Sequence, residues 1–201
     1  MQERPLERLT EVQRSTKETD LHVELNLSQH GPHHIELGIP FLEHMLHAMA
    51  FHGGFALTIR GTGDLQVDAH HLVEDTGIVL GDAFRRIFAS GGPVERFGSA
   101  LIPMDDALSE AVIDVCERAY LVYDATYPQE YSGDFQMSLV REFFLAFVNH
   151  AQINLHLSCR YGLNSHHMSE SLFKAFGKAL GRAYASTEGK TSASMSTKGG
   201  L

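Results

Sequence analysis

Asp68-Ala-His-His-Leu-Val-Glu-Asp75 and Asn164-Ser-His-His-Met-Ser-Glu170 carry one His-His-x-x-Glu pattern twice, 96 residues apart. The likeness extends upstream of both. Phe55-Ala-Leu-Thr-Ile59 matches Ile153-Asn-Leu-His-Leu157, and Glu43-His-Met-Leu46 precedes the first as Arg141-Glu-Phe-Phe144 precedes the second. A two-residue gap at Gly61-Thr-Gly-Asp64 brings His44 opposite Glu142 and His52 opposite His150. These matches read as an internal duplication, residues 1–92 and 93–190, meeting near Gly91-Gly92-Pro93, with a tail over 191–201.

Periodicity outlines each half. Leu21, Val23, Leu25 and Leu27 alternate with polar residues, as do Phe55, Leu57 and Ile59, and Ile153, Leu155 and Leu157, so these stretches read as half-buried strands. Apolar residues recur at helical spacing over Asp75–Ala89 and Ser171–Ala185, and a shorter helix fits Leu42, Met45, Leu46 and Met49. The expectation is an α+β chain with β-β-α-β-β-α halves, each a sheet with helices on one face.

Bulk properties narrow the function. The 201 residues carry a formal net charge of -9, which argues against a nucleic-acid partner. No apolar run reaches the ~20 residues of a membrane helix, and Met1-Gln-Glu-Arg-Pro5 lacks the apolar core of a signal peptide, so a cytoplasmic location is expected. Cys116 and Cys159 form no C-x-x-C pair and suggest no disulfide framework. The tail, Thr187–Leu201, has the composition of a disordered end.

Thirteen histidines are the outlier. In each motif the Glu follows its histidines by four and three residues, spacings that share a helix face. Adjacent histidines diverge by ~100° around a helix, so each pair suits two ions, or an ion and a substrate, better than one ion. Imidazole and carboxylate together suit Zn, Mn, Fe, Co or Ni, and the lack of cysteine argues against a structural zinc site. Solvated histidines at helix starts would explain one such pair; two, inside matching repeats, point to metal chemistry.

The segments Phe41-Leu-Glu-His-Met-Leu46, Asp68–Asp75, Arg96-Phe-Gly98, Pro103-Met-Asp-Asp-Ala-Leu108, Asn164–Glu170, Phe173-Lys-Ala-Phe176 and Ser196-Thr-Lys-Gly199 resemble imidazoleglycerol-phosphate dehydratase, in order and over nearly the whole chain. The resemblance implies a helical bundle between two mixed sheets. It implies removal of water from imidazole glycerol phosphate in histidine biosynthesis, two Mn2+ per site (Zn2+, Fe2+ or Co2+ as alternatives), no redox cofactor, and a homo-oligomer of 24 subunits built from trimers with shared active sites. The implied metal ligands are His44, His70, His71, Glu74, Glu142, His166, His167 and Glu170. The implied catalytic groups are Glu18, His71 and His167. Substrate contacts fall on Glu18, His44, His52, His70, Glu74, Arg96, Arg118, His166, Lys174, Ser196, Thr197 and Lys198, with Arg96, Arg118, Lys174, Ser196 and Lys198 at the phosphate. On this reading Ser196–Lys198 is ordered when phosphate binds. Two positions vary from parts of the family: Glu142 stands where some members have His and others an acidic residue, and Glu43 where Asp is common. Two rivals explain fewer residues. A dinuclear phosphatase accounts for the ligands and the cations but not Glu18, and releases inorganic phosphate. A non-catalytic metal-binding protein would bind metal without turnover.

Overall fold

The alternation of Leu21, Val23 and Leu25 with Asp20, His22 and Glu24 produces a strand with one face fully buried and one polar. The structure, a computed structural model, describes residues 8–90 and 92–187. The first half runs β1 (Leu9–Ser15), β2 (Thr19–Asn26), β3 (His33–Glu36), α1 (Pro40–Gly53), β4 (Ala56–Gly63) and α2 (His70–Ser90). The second runs β5 (Phe97–Met104), β6 (Ala107–Val115), β7 (Tyr120–Asp124), a short hairpin β8 (Tyr131–Ser132) and β9 (Phe135–Gln136), then α3 (Leu139–Ala151), β10 (Ile153–Tyr161) and α4 (Ser165–Ala183).

The two four-stranded sheets have the same topology. Their orders are β1-β2-β4-β3 and β5-β6-β10-β7, each with two antiparallel pairings and one parallel one. The α+β class and the bundle between two mixed sheets stand, but the order of helices and main-sheet strands within each half is β-β-β-α-β-α, not β-β-α-β-β-α, with the β8–β9 hairpin inserted before α3 in the second half. The strand expected after the middle one lies before the first helix. Parallel pairing of β3 with β4, and of β7 with β10, requires a crossover, which α1 and α3 supply. These strands escape a periodicity reading because β3 has one buried residue, Ile35, and β7 none.

Helix α2 lies on β1 and β2, α4 on β5 and β6, while α1 pairs with α4 and α2 with α3. Phe143, Phe144, Phe147, Phe173 and Phe176 fill the core between α3 and α4, with ring centroids 4.9 Å apart for Phe144–Phe173 and 5.0 Å for Phe147–Phe176. Gly81 and Gly177 hold the same place in the two halves, and each lets a neighbouring helix backbone approach. A Cβ at Gly81 would lie 2.5 Å from the Phe147 carbonyl oxygen, and one at Gly177 would run into that of Met49. Gly177→Ala gains ~1 kcal/mol of helix propensity. The overpacking costs about 1–3 kcal/mol, because rigid backbone cannot yield as a side chain can. The net result is destabilisation, read as a lower urea midpoint for metal-free protein. A raised midpoint would contradict the close crossing of α1 and α4.

Cys116 is buried and Cys159 half-buried, and both are free thiols. Among the described residues no helix is long and apolar enough to cross a membrane.

Candidate metal centre

Both His-His-x-x-Glu motifs begin a helix and are pinned alike. The Asp68 carboxylate accepts the His70 backbone N–H at 2.8 Å, and the Asn164 side-chain oxygen accepts that of His166 at 2.8 Å. From these fixed starts His166 turns towards His44 of α1, and the second histidine of each pair turns towards a loop.

On α4, His166 and Glu170 lie one turn apart and face His44 of α1. The His166 Nε2 is 3.4 Å and the His44 Nε2 3.5 Å from Glu170 Oε2. Ligand atoms of all three lie within 4.8 Å of one another. Two donors held ~2.1 Å from one ion sit ~3 Å apart when adjacent, so the 3.4 and 3.5 Å contacts to Glu170 are close to the spacing that a shared cation needs. The Lys174 ammonium lies 2.6 Å from Glu170 Oε1, leaving Oε2 towards the histidines. Burial raises the Glu170 pKa, but the hydrogen bond and charge of Lys174, with His44, outweigh it and hold the carboxyl below its ordinary value. Phe41 packs edge-on against the His166 ring, centroids 5.4 Å apart. Glu43 accepts the backbone N–H groups of Leu37 and Gly38 at 2.7 and 2.8 Å, fixing the loop that leads into α1 and His44.

The site opens into a groove of about 1020 Å³. His44, His166, His70 and Glu142 line it, with Tyr131 and Phe135 of the β8–β9 hairpin. The first-motif counterparts are arranged differently. Glu74 is exposed where Glu170 is buried, and Ile78 stands one turn after Glu74 where Lys174 stands after Glu170.

The second histidines face carboxylates in loops. The His71 Nδ1 is 3.0 Å from Asp64 Oδ2 and 4.0 Å from Glu18 Oε2 in the β1–β2 turn. The hydrogen bond to Asp64, more than the nearby charge of Glu18, raises the His71 pKa. The His167 Nδ1 is 2.5 Å from Asp106 Oδ1, and its Nε2 is 3.6 Å from Asp105. Both aspartates lie in the β5–β6 turn, and Asp106 also accepts the backbone N–H groups of Leu163 and Asn164. Glu18 is exposed, and Thr16 Oγ1 accepts its backbone N–H at 3.1 Å.

The other expected contacts lie apart. Arg96 grips Asp114 with two hydrogen bonds, Nε to Oδ1 at 2.7 Å and Nη2 to Oδ2 at 3.2 Å, and these raise its pKa. Arg118 is exposed, and its carbonyl accepts from Asn154 at the same end of the sheet. Lys174 instead lies against Met104, at the opposite end of β5 from Arg96. His52 ends α1, and burial, then the charges of Lys174 and Lys178, lower its pKa. Ser196, Thr197 and Lys198 lie outside the described residues. Asp64 and Asp106 were not among the sequence candidates. Asp106 does stand inside the quoted Pro103–Leu108 segment, the one trace of it in the sequence.

A family model described as imidazoleglycerol-phosphate dehydratase matches residues 37–180. A curated protein of that name from Acidithiobacillus ferrooxidans is 46% identical over 194 residues, spanning 96% of this chain and 98% of its own. Another from Symbiobacterium thermophilum is 47% identical over 195 residues, spanning 97% and 93%. The crystal structure of imidazoleglycerol-phosphate dehydratase from Staphylococcus aureus superposes with a TM-score of 0.81 at 37% identity, covering 89% of this chain and 99% of that one. The structure from Pyrococcus furiosus gives 0.80 at 36%, covering 94% and 100%.

Proposed function

The chain belongs to the imidazoleglycerol-phosphate dehydratase family, lyases of histidine biosynthesis, and from that premise we propose how its residues remove water from imidazole glycerol phosphate to give imidazole acetol phosphate. The observation that carries the proposal is the convergence of His44, His166 and Glu170 on one point beside the groove.

His44, His166 and Glu170 would hold one divalent cation, and His70, His71, Glu74, Glu142 and His167 complete the ligand set for two ions per site. Manganese is the reading that mixed nitrogen and oxygen ligands without thiolate support, with Zn2+, Fe2+ and Co2+ as alternatives. Such a cation supplies Lewis acidity that stabilises negative charge on an imidazole ring. Lys174 holds Glu170 ionised and oriented towards the two histidines. His71 and His167 each present the ring nitrogen that no aspartate occupies at hydrogen-bonding distance. Glu18, exposed beside His71, accepts and returns the proton displaced in the elimination. His52 contacts substrate from the end of α1. Arg96, Arg118, Lys174, Ser196, Thr197 and Lys198 hold the phosphate; a planar guanidinium matches it bidentately.

These contacts support a site shared between copies. Strand β5 has eight residues and spans ~25 Å. Arg96 and Lys174 lie towards its opposite ends, too far apart for one phosphate to meet both within a chain. A 24-subunit shell of trimers would bring them together, with residues 1–92 and 93–190 as repeat halves and 191–201 as the phosphate-contacting tail. No nucleic acid, membrane or redox cofactor enters this reading, and the location is cytoplasmic. Product analysis tests it: turnover should yield a dehydrated product that keeps its phosphate, whereas release of inorganic phosphate would favour hydrolase chemistry.

A further inference from the structure

The second histidine of each motif is held by a carboxylate that the family likeness did not bring forward. Asp64 sits 18% exposed with both carboxylate oxygens near His71 Nδ1, at 3.0 and 3.2 Å. Asp106 sits 26% exposed with Oδ1 2.5 Å from His167 Nδ1. A carboxylate at these distances accepts, so Nδ1 carries the hydrogen in both rings. In a neutral imidazole the lone pair is then on Nε2, the nitrogen left to bind a cation.

The duplication adds a second argument. Asp64 follows β4, whereas Asp106 lies in the turn between β5 and β6. The first-half counterpart of that turn is the one between β1 and β2, which carries Glu18. The anchors therefore come from different places in the repeat, yet both reach the same ring nitrogen of equivalent histidines. An anchor merely inherited with the duplication would sit at one equivalent position. Two separate solutions indicate that holding Nδ1 is what the site requires. Each anchor also fastens neighbouring structure. The Asp64 backbone N–H donates to the Glu18 carbonyl at 3.1 Å, and Asp106 ties its turn to the start of α4.

We infer that Asp64 and Asp106 are positioning residues that fix His71 and His167 in the tautomer presenting Nε2 to a divalent cation, and so set its affinity there. This rests on reading the two histidines as ligands. The test is Mn2+ binding to metal-stripped full-length protein, followed by the electron paramagnetic resonance signal of free Mn2+. Asp64→Ala should weaken binding 10–100-fold. Its metal-free unfolding midpoint should stay near that of the parent, because the side chain has no hydrogen-bond partner but His71 among the described residues. Asp64→Asn keeps an acceptor oxygen and should recover most of the loss. Asp106→Ala should weaken Mn2+ binding by a similar factor but also lower the unfolding midpoint, since it frees the backbone N–H groups of Leu163 and Asn164. Asp106→Asn is the companion variant, because Asp106 also holds Leu163 and Asn164. His71→Ala separates the two levels. If it weakens binding while Asp64→Ala binds as the parent does, the positioning role is overturned. If His71→Ala itself leaves binding intact, the ligand reading fails and this inference with it.

Discussion

Exchange of His166 for alanine together with Glu170→Gln is expected to lower kcat/KM on imidazole glycerol phosphate by ~10³-fold or more, equivalent to ~4 kcal/mol of transition-state stabilisation. The size follows from geometry. His166 Nε2 and Glu170 Oε2, 3.4 Å apart, are two of the three donors that converge, and the exchange leaves only His44 of that triple. The fold should survive. His166 is on the groove wall, its side chain 38% exposed, and Gln keeps the shape of Glu170. Lys174 loses its ionic partner in this variant, so Lys174→Met combined with Glu170→Gln serves as the stability control. Circular dichroism of the metal-free variant should match the parent while the protein binds less Mn2+ than the parent does. A variant retaining parental turnover would remove this triple from the catalytic machinery.

Glu18→Gln is expected to lower kcat by ~10²–10⁴-fold, the usual contribution of a positioned acid/base. The exchange keeps shape and removes only the ability to accept a proton. The β1–β2 turn is fixed by backbone N–H groups of Glu18 and Thr19 donating to Thr16 Oγ1, not by the Glu18 carboxylate, so the turn should hold its form. The loss should therefore appear in kcat with KM little changed. An equal rise in KM with kcat unchanged would assign Glu18 to substrate binding alone.

Much of this was legible in the sequence because the chain says it twice. A single His-His pair at a helix start is ambiguous. The two His-His-x-x-Glu motifs, the matching strands and the His44–Glu142 register made the repeat readable, and the two sheets have the same strand order. Strands β3 and β7 were missed because too few of their residues are buried to leave a period. Asp64 and Asp106 were missed for another reason. An aspartate in a turn reads as a turn former, and only the fold carries it to an imidazole seven residues away in one case and 61 in the other. The unlike surroundings of Glu74 and Glu170 were equally hidden, since the two motifs read alike and differ in what stands one turn later. The convergence of His44 with His166 depends on α1 lying against α4, a pairing that no local pattern specifies.

The central claim is that the histidines and carboxylates of the two motifs hold divalent cations that the dehydration requires. Turnover of imidazole glycerol phosphate by metal-stripped protein, before and after Mn2+, Zn2+ or Mg2+ is added back, tests it most directly. Negligible turnover is expected without metal, with recovery on adding Mn2+, to a phosphorylated product lacking one water. Full activity in the stripped protein would contradict the claim.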